Sequence, residues 1–468
     1  MKRAVLYNTA LLTAASLLMS GVAMAFQVWL VGRIGAAGIG LYQLTLSVTG
    51  LAATFAISGV RFASTRLVSE ELGLERPGGV RAAMGRCLAY GAFFGLAAAV
   101  ILWELAEPVG FLWIGDARTV KPLKLSALSM PCVSLCSAIS GYFTACGRVW
   151  KSALVHLLEQ LAGIALVAFF LGRVPAGDIE KSCAAVTLGR VAADALSLVL
   201  MGLVYVLDRR GYYAAEAASE RLTFRMLHIA LPLALSAYAR SALSTAQHLL
   251  VPRGLKAAGY SADRALSGYG VIQGMALPVI FFPACVVAAI AELIVPELTA
   301  AQMRGDRRGI RRTAGELLHL GALFSLAVAV FLYVCSDALG MTIYDSREAG
   351  RYIRILAPLV PVMYTDMCVD GCLKGLGQQV WSMGINILDA LAGLLLTWRL
   401  LPRYALAAYI GIIYATELLN FALSAGRLIR VTRPLSRRGA ADGADRPGAG
   451  WAKCACTAGR SGPRRSRP

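Results

Sequence analysis

The sequence predicts an all-α polytopic membrane protein: about twelve transmembrane helices in two pseudo-symmetric six-helix lobes around a central cavity. Three observations predict it. The 468 residues are 57% hydrophobic and only 16% charged, with a mean hydropathy of +0.63; soluble domains carry about 25% charged residues. Apolar runs near twenty residues recur end to end, each enough for a bilayer core of roughly 30 Å and too long for barrel strands of about 9–11 residues. The chain also repeats itself at an offset of 230. Nine of the twenty positions from 91 to 110 recur at 321 to 340, and Pro131, Gly141, Gly147, Ser152, Leu158 and Gly163 return as Pro361, Gly371, Gly377, Ser382, Leu388 and Gly393. In transporters built from repeats, substrate binds at the seam between them.

The spans follow in order. The first (8–31) comes after Met1-Lys2-Arg3 and imitates a secretory signal, with Ala23-Met24-Ala25 resembling a cleavage site. Ala14, Ser16, Gln27, Val31 and Arg33 nevertheless recur as Ala234, Ser236, Gln247, Val251 and Arg253, so this helix has an internal counterpart and is predicted to be retained. The next five spans cover 41–62, 84–105, 121–143, 152–173 and 182–207. The second half repeats them at 226–251, 268–295, 315–335, 351–373, 380–400 and 404–426. The offset grows from 220 to 230 between the first and second span of each half, which places about ten extra residues around Lys256 to Arg264. The predicted organisation is an N-terminal lobe (1–207), a linker (208–225), a C-terminal lobe (226–430) and a disordered basic tail (431–468) rich in Gly, Pro, Ser and Arg.

Flanking Lys and Arg set the topology. With an even number of spans both termini share a side. That side holds 29 of the 46 basic residues, 11 of them from Arg427 on, against 14 on the other side and 3 inside spans. Both termini are predicted to be cytoplasmic, in the cell membrane. The net charge of +19 is then flanking charge and tail, a contact for anionic lipid and not for nucleic acid. Most of the 11 cysteines fall within or near apolar runs and read as small hydrophobes. Cys454-Ala-Cys456 in the tail does not make a metal site, and no disulfide framework is read.

Charges inside spans cost several kcal/mol on insertion scales and face protein or water. Arg240 sits halfway along the seventh span, with no other charge within ten residues; its counterpart is Ser20. Arg61 lies near the cytoplasmic end of the second span, within reach of snorkelling. Arg190 and Asp194 stand four apart on the sixth and can neutralise each other. Asp366, Asp370 and Lys374 run down one face of the tenth, a wet wall or cation site, or an Asp370–Lys374 pair at the inner end. Glu159 and Asp389 are repeat equivalents in the fifth and eleventh spans, a relation more structural than catalytic. His156 and His248 read as hydrogen-bonding partners. Pro131 and Pro361 match across the repeat and predict bends. There is no phosphate loop, metal-ligand spacing, nucleophile elbow or dinucleotide fingerprint; no enzyme activity, cofactor or ATP-driven step is expected.

Val31-Gly-Arg-Ile-Gly-Ala-Ala-Gly-Ile-Gly-Leu-Tyr-Gln43, Ser58-Gly-Val-Arg-Phe-Ala-Ser-Thr-Arg-Leu-Val-Ser-Glu70 and Tyr269-Gly-Val-Ile-Gln-Gly-Met-Ala-Leu-Pro278 resemble the stage V sporulation protein B group of the multidrug/oligosaccharidyl-lipid/polysaccharide exporter superfamily. The resemblance extends over roughly residues 1–430. It implies alternating access and a polyprenyl-diphosphate sugar as substrate, for cell-wall, spore-cortex or polysaccharide assembly. It also implies cavity arginines that hold the diphosphate. Arg61 and Arg240 match by region, with Arg33 and Arg253 as outer-end candidates. Asp366, Asp370, Lys374, Glu159 and Asp389 are the candidates for coupling to a monovalent cation. The expected partners are the lipid-linked sugar and membrane lipids, and the expected state is a monomer. The rival reading is a cation-coupled multidrug and toxin extrusion antiporter. The lack of any Asp or Glu before Glu70 counts against its first-span proton-coupled form.

Overall fold

The computed structural model describes residues 2–74, 77–175, 177–209 and 222–432, with side chains from Leu18 on, except those of Pro77 and Leu293. Most of the expected linker and tail (210–221 and 433–468, with Cys454 and Cys456) lies outside the described residues, as do the side chains at the signal-like start.

Among the described residues ten segments are long and apolar enough to cross a bilayer, one of them a pair bent by 44°. Two of the ten, Leu18–Gly73 and Gln379–Thr432, run for 56 and 54 residues. At 1.5 Å per residue each is more than twice the thickness of a bilayer core. Each is broken by a non-helical residue, Gly35 (φ 71°) and Ala405 (φ 51°) respectively. The described chain therefore makes twelve passages, named here α1 (2–34), α2 (36–73), α3 (77–114), α4 (117–145), α5 (Val149–Leu171) and α6 (Ile179–Asp208) in the first lobe. In the second they are α7 (Leu222–Ala257), α8 (262–303), α9 (Arg307–Tyr344), α10 (347–375), α11 (379–404) and α12 (406–432). The end from which α1 starts and where α12 finishes is the proximal end; the other is distal.

The repeat is visible in the packing. Pro131 and Pro361 sit in the first turn of helix segments that restart after a break, Met130–Ala145 in α4 and Val360–Gly375 in α10. There the missing N–H costs nothing, and proline helps to set the bend. At the proximal end Arg148 pairs with Asp208 at 2.7 Å, tying the α4–α5 turn to α6. At the equivalent place Arg427 of α12 donates to Gln378 at 2.6 Å. The same clamp is built twice with its polarity exchanged. The ten extra residues of the second half form the distal end of α7, the 258–261 turn and the first turn of α8.

The lobes meet at the distal end on the repeat axis itself. Gly40 of α2 and Gly270 of α8 are repeat equivalents and touch each other: a Cβ on Gly270 would collide with the Ala36 carbonyl, and one on Gly40 with the Leu266 carbonyl. Ala36 and Leu266 are again 230 apart. Only glycine lets the two backbones come this close. Gln27 of α1 donates to the Gly274 carbonyl at 3.0 Å. The second seam is α2 against α7, where Thr245 donates to the Ser47 carbonyl at 3.0 Å and Tyr238 to Ser58 Oγ at 2.6 Å. Near the proximal end Arg225 pairs with Glu70.

Candidate functional site

α2 is broken a second time where the left-handed Ser58 (φ 42°) and Gly59 (φ 72°) follow each other. A non-glycine residue rarely adopts this conformation. It is held here by Tyr90, which donates to the Ser58 carbonyl at 3.1 Å, and by the Ser58 hydroxyl, 2.9 Å from Tyr90 Oη. The helix restarts at Val60, so that Val60, Ala63 and Leu67 pack against Met226 and Ala230 of α7. The next residue, Arg61, is thereby aimed into the first lobe.

There Arg61 lines a cavity of about 180 Å³ with Cys136, Ser137, His156, Glu159 and Asp194. A second cavity of about 290 Å³ shares Val133, Glu159 and Asp194 with it and is lined further by Tyr42, Thr45, Thr49, Ser129 and Arg190. The two adjoin as one chamber among α2, α4, α5 and α6. Glu159 accepts a hydrogen bond from Ser197 at 2.6 Å and lies 3.1 Å from His156 Nδ1. This satisfies its carboxylate locally. Among the described residues neither Arg61 nor Arg190 makes an ion pair. Arg190 and Asp194 are not in direct ion-pair contact, but the Arg190 charge still acts electrostatically on the Asp194 carboxylate, as their spacing led one to expect.

Arg240 lies midway along α7 and is exposed. At 3.6 residues per turn it shares a line with Leu233, Gln247 and Val251. Gln247 packs against Gly393 of α11, and Val251 is buried. On the adjacent line His248 is hydrogen-bonded to Tyr269 of α8 at 3.1 Å. The face of α7 that is covered by α8 and α11 distally is thus open at Arg240, while Tyr238 and Thr245 hold the other side of α7 against α2. Arg240 makes no ion pair among the described residues. No contact joins it to Arg61.

The acidic stripe of α10 divides. Asp370 pairs with Lys374 at 2.7 Å and accepts from Ser382, a proximal structural contact. Asp366 and Asp389 each keep a buried carboxylate oxygen with no hydrogen-bond partner. Glu417 of α12, which the sequence reading missed, stands close enough to both to repel them electrostatically. Its signal was a lone acid in an apolar span. Among the described residues no three His, Cys, Asp or Glu side chains converge as metal ligands.

Arg33 is exposed at the distal end of α1. Arg253 lines a groove of about 330 Å³ with Trp113, Leu250, Leu395 and Trp398. Neither reaches the chamber. Also distal, Arg118 pairs with Asp116 and with Asp263 across the lobes, both at 2.7 Å, and Lys256 donates to the Gly115 carbonyl at 3.0 Å. Burial favours the protonated Asp116 carboxyl, but hydrogen bonds from Arg118 outweigh it and hold the group below the usual carboxylate range.

The sequence profile of the MatE family matches residues 12–169 and 255–399. Stage V sporulation protein B of Bacillus subtilis (strain 168) is 22% identical over 419 residues, covering 88% of this chain and 80% of that one. Among solved structures, lipid II flippase MurJ in an inward closed conformation matches with a TM-score of 0.68 at 12% identity, over 91% of this chain and 88% of that one. An inward-facing multidrug resistance MATE family transporter of the MOP superfamily matches with 0.67 at 12% identity, over 90% and 96%. The matched profile covers more than half of the chain and falls in both lobes. The chain belongs to the MatE family and is a multi-pass membrane protein that shares the fold of these solved structures.

Proposed function

We propose that this transporter flips a lipid-linked sugar, a polyprenyl-diphosphate glycan, across the cytoplasmic membrane by alternating access, with the proximal end cytoplasmic. The observation that carries this reading is Arg240, an exposed guanidinium halfway along α7 that makes no ion pair among the described residues. A buried or membrane-embedded cation without a partner is costly, and a diphosphate entering between the lobes supplies that partner. Guanidinium forks fit phosphate oxygens. Arg61 offers a second cation on the first-lobe wall, and Arg33 and Arg253 are release-side contacts. The lipid tail stays in the bilayer while the head crosses. The stage V sporulation protein B and MurJ likenesses support a lipid-linked substrate and a role in cell-wall, spore-cortex or polysaccharide assembly.

In a reconstituted flipping assay with a fluorescent polyprenyl-diphosphate sugar, Arg240→Ala should slow translocation roughly ten- to a hundred-fold, the worth of one hydrogen bond to a charged group. Protein yield and membrane insertion should be unchanged. Full activity of Arg240→Ala overturns the reading. A second reading, a cation-coupled drug antiporter, is supported by the Asp366–Asp389–Glu417 cluster and the MATE likeness. It requires that an organic cation be exported by the wild type and not by Asp389→Asn.

A further inference from the structure

The proximal end of the second lobe carries charge that the duplication did not require. Within the eleven residues 302–312 stand Arg304, Arg307, Arg308, Arg311 and Arg312, with Asp306 as the one acid. At the 230 offset the first lobe has Leu74, Pro77, Gly78, Arg81 and Ala82, so only Arg311 has a basic counterpart. Glu70 and Glu71, which face Arg225 of α7, correspond to Ala300 and Ala301. All five arginines are exposed. Of the five, only Arg312 makes an ion pair among the described residues, with Glu316 at 2.8 Å. Asp306 is spent on capping α9, accepting from the Gly309 N–H at 2.9 Å. Arg307, Arg308 and Arg311 therefore stand in the first turns of a 38-residue helix, at the pole that already favours an anion.

Arg307 also lines a cavity of about 240 Å³ where the ends of α8, α9 and α12 meet the turn between α10 and α11. Gln302, Arg307 and Thr432 give it polar walls, and Ile310, Leu376 and Val431 apolar ones. Large apolar side chains stand uncovered at the same end. Met303, next to Arg304, is 84% exposed; Trp381, with the Arg427 guanidinium 4.2 Å from its ring centre, is 56% exposed. Tryptophan at the end of a membrane helix marks the level of the lipid head groups. A cavity of mixed polarity beside unpaired guanidinium groups at that level fits a phospholipid where its phosphate meets glycerol and acyl chains. A small anion in water would gain nothing from Met303 and Trp381. Nor does the rest of the chain supply the anion. The 36 residues after Thr432 carry nine Arg or Lys and two Asp, so they add to the positive charge.

We propose that this corner binds one anionic phospholipid of the proximal leaflet, its phosphate on Arg307 and in the field of Arg304, Arg308 and Arg311. Basic pockets between membrane helices suit such head groups, and guanidinium forks suit their phosphate oxygens. Because the walls come from α8, α9, α12 and the α10–α11 turn, the bound lipid braces the proximal end of the second lobe. The site contains neither Arg240 nor Arg61 and does not depend on what is transported.

The test titrates the full chain in neutral detergent with phosphatidylglycerol or with phosphatidylcholine of the same acyl chains. Bound lipid is counted by native mass spectrometry, and melting temperature is followed in parallel. The wild type should hold one phosphatidylglycerol at least about tenfold more tightly than phosphatidylcholine. Its melting temperature should rise with phosphatidylglycerol alone, because a ligand of the folded state stabilises that state. Each arginine removed should weaken the charge-dependent binding about fivefold. Arg307→Gln with Arg308→Gln should therefore bring the two lipids to near parity and abolish the rise. Arg81→Gln, which removes the first-lobe equivalent of the Arg311 charge, should leave both readouts as in the wild type. All three arginines are exposed, so the variants should melt like the wild type without lipid. No preference in the wild type, a preference unmoved in the double variant, or an equal loss in Arg81→Gln overturns the site. Displacement of the lipid by an equal concentration of inorganic phosphate also overturns it, since the corner would then be a site for any phosphate.

Discussion

At the scale of single residues, this protein is distinguished by charges whose partners are few and well placed. Arg240 and Arg61 were legible in the sequence because an arginine inside an apolar run is costly wherever it sits. Their different surroundings were not legible, since one helix face cannot be told from another before its neighbours are known. Asp116 and Arg118 stand at the N-terminal turn of α4 and carried no signal. Their partner Asp263 is 145 residues from Arg118 and reaches it only through the fold. The pH dependence of this contact has a definite sign. Because the Asp116 pKa is depressed in the folded state, its contribution is fully present above about pH 4, the unfolded value. It is lost as pH falls through the lower folded value. The thermal stability of the wild type should therefore lose this contribution only in acid below pH 4, and Arg118→Ala should remove that part of the acid sensitivity. A pH titration of melting temperature in detergent checks both.

At the scale of elements, the breaks carry as much information as the helices. Gly35 and Ala405 turn two overlong helices into four passages, and Ser58-Gly59 re-aims Arg61 within α2. The spans themselves were readable because a bilayer imposes length and apolarity together. Their bends were readable at Pro131 and Pro361, where a side chain announces them, and unreadable at Ser58, where tyrosines from α3 and α7 hold the strain. The contact between Gly40 and Gly270 is the tightest point of the α2–α8 pair. Gly40→Val should cost about 1–3 kcal/mol, the range for overpacking a filled interface. It should lower the melting temperature in detergent, while the same change at Gly32, which has nothing within 4 Å of an added Cβ, should leave it nearly unchanged.

At the scale of the whole molecule, two similar lobes meet along α2–α7 and at the distal α2–α8 crossing, with the Asp116–Arg118–Asp263 bridge closing the distal end. Alternating access requires that end to part. A cleavable cross-link between Arg118→Cys and Asp263→Cys, in a background whose other cysteines are replaced, should stop translocation. Cleaving the link should restore it. Undiminished flipping in the linked protein would mean that the distal closure does not open during transport.

The sequence by itself determined the solvent this protein lives in, its twelve passages, their duplication and the costly charges among them. Those follow from length, composition and repetition, which a chain carries without folding. Only the tertiary structure decided that the two lobes differ inside. The first lobe brings Arg61 to a cavity with Glu159 and Asp194, while the second gathers Asp366, Asp389 and Glu417. Whether a charged group meets a counter-charge or a like charge depends on what stands opposite, and what stands opposite is fixed by helices far apart in the chain.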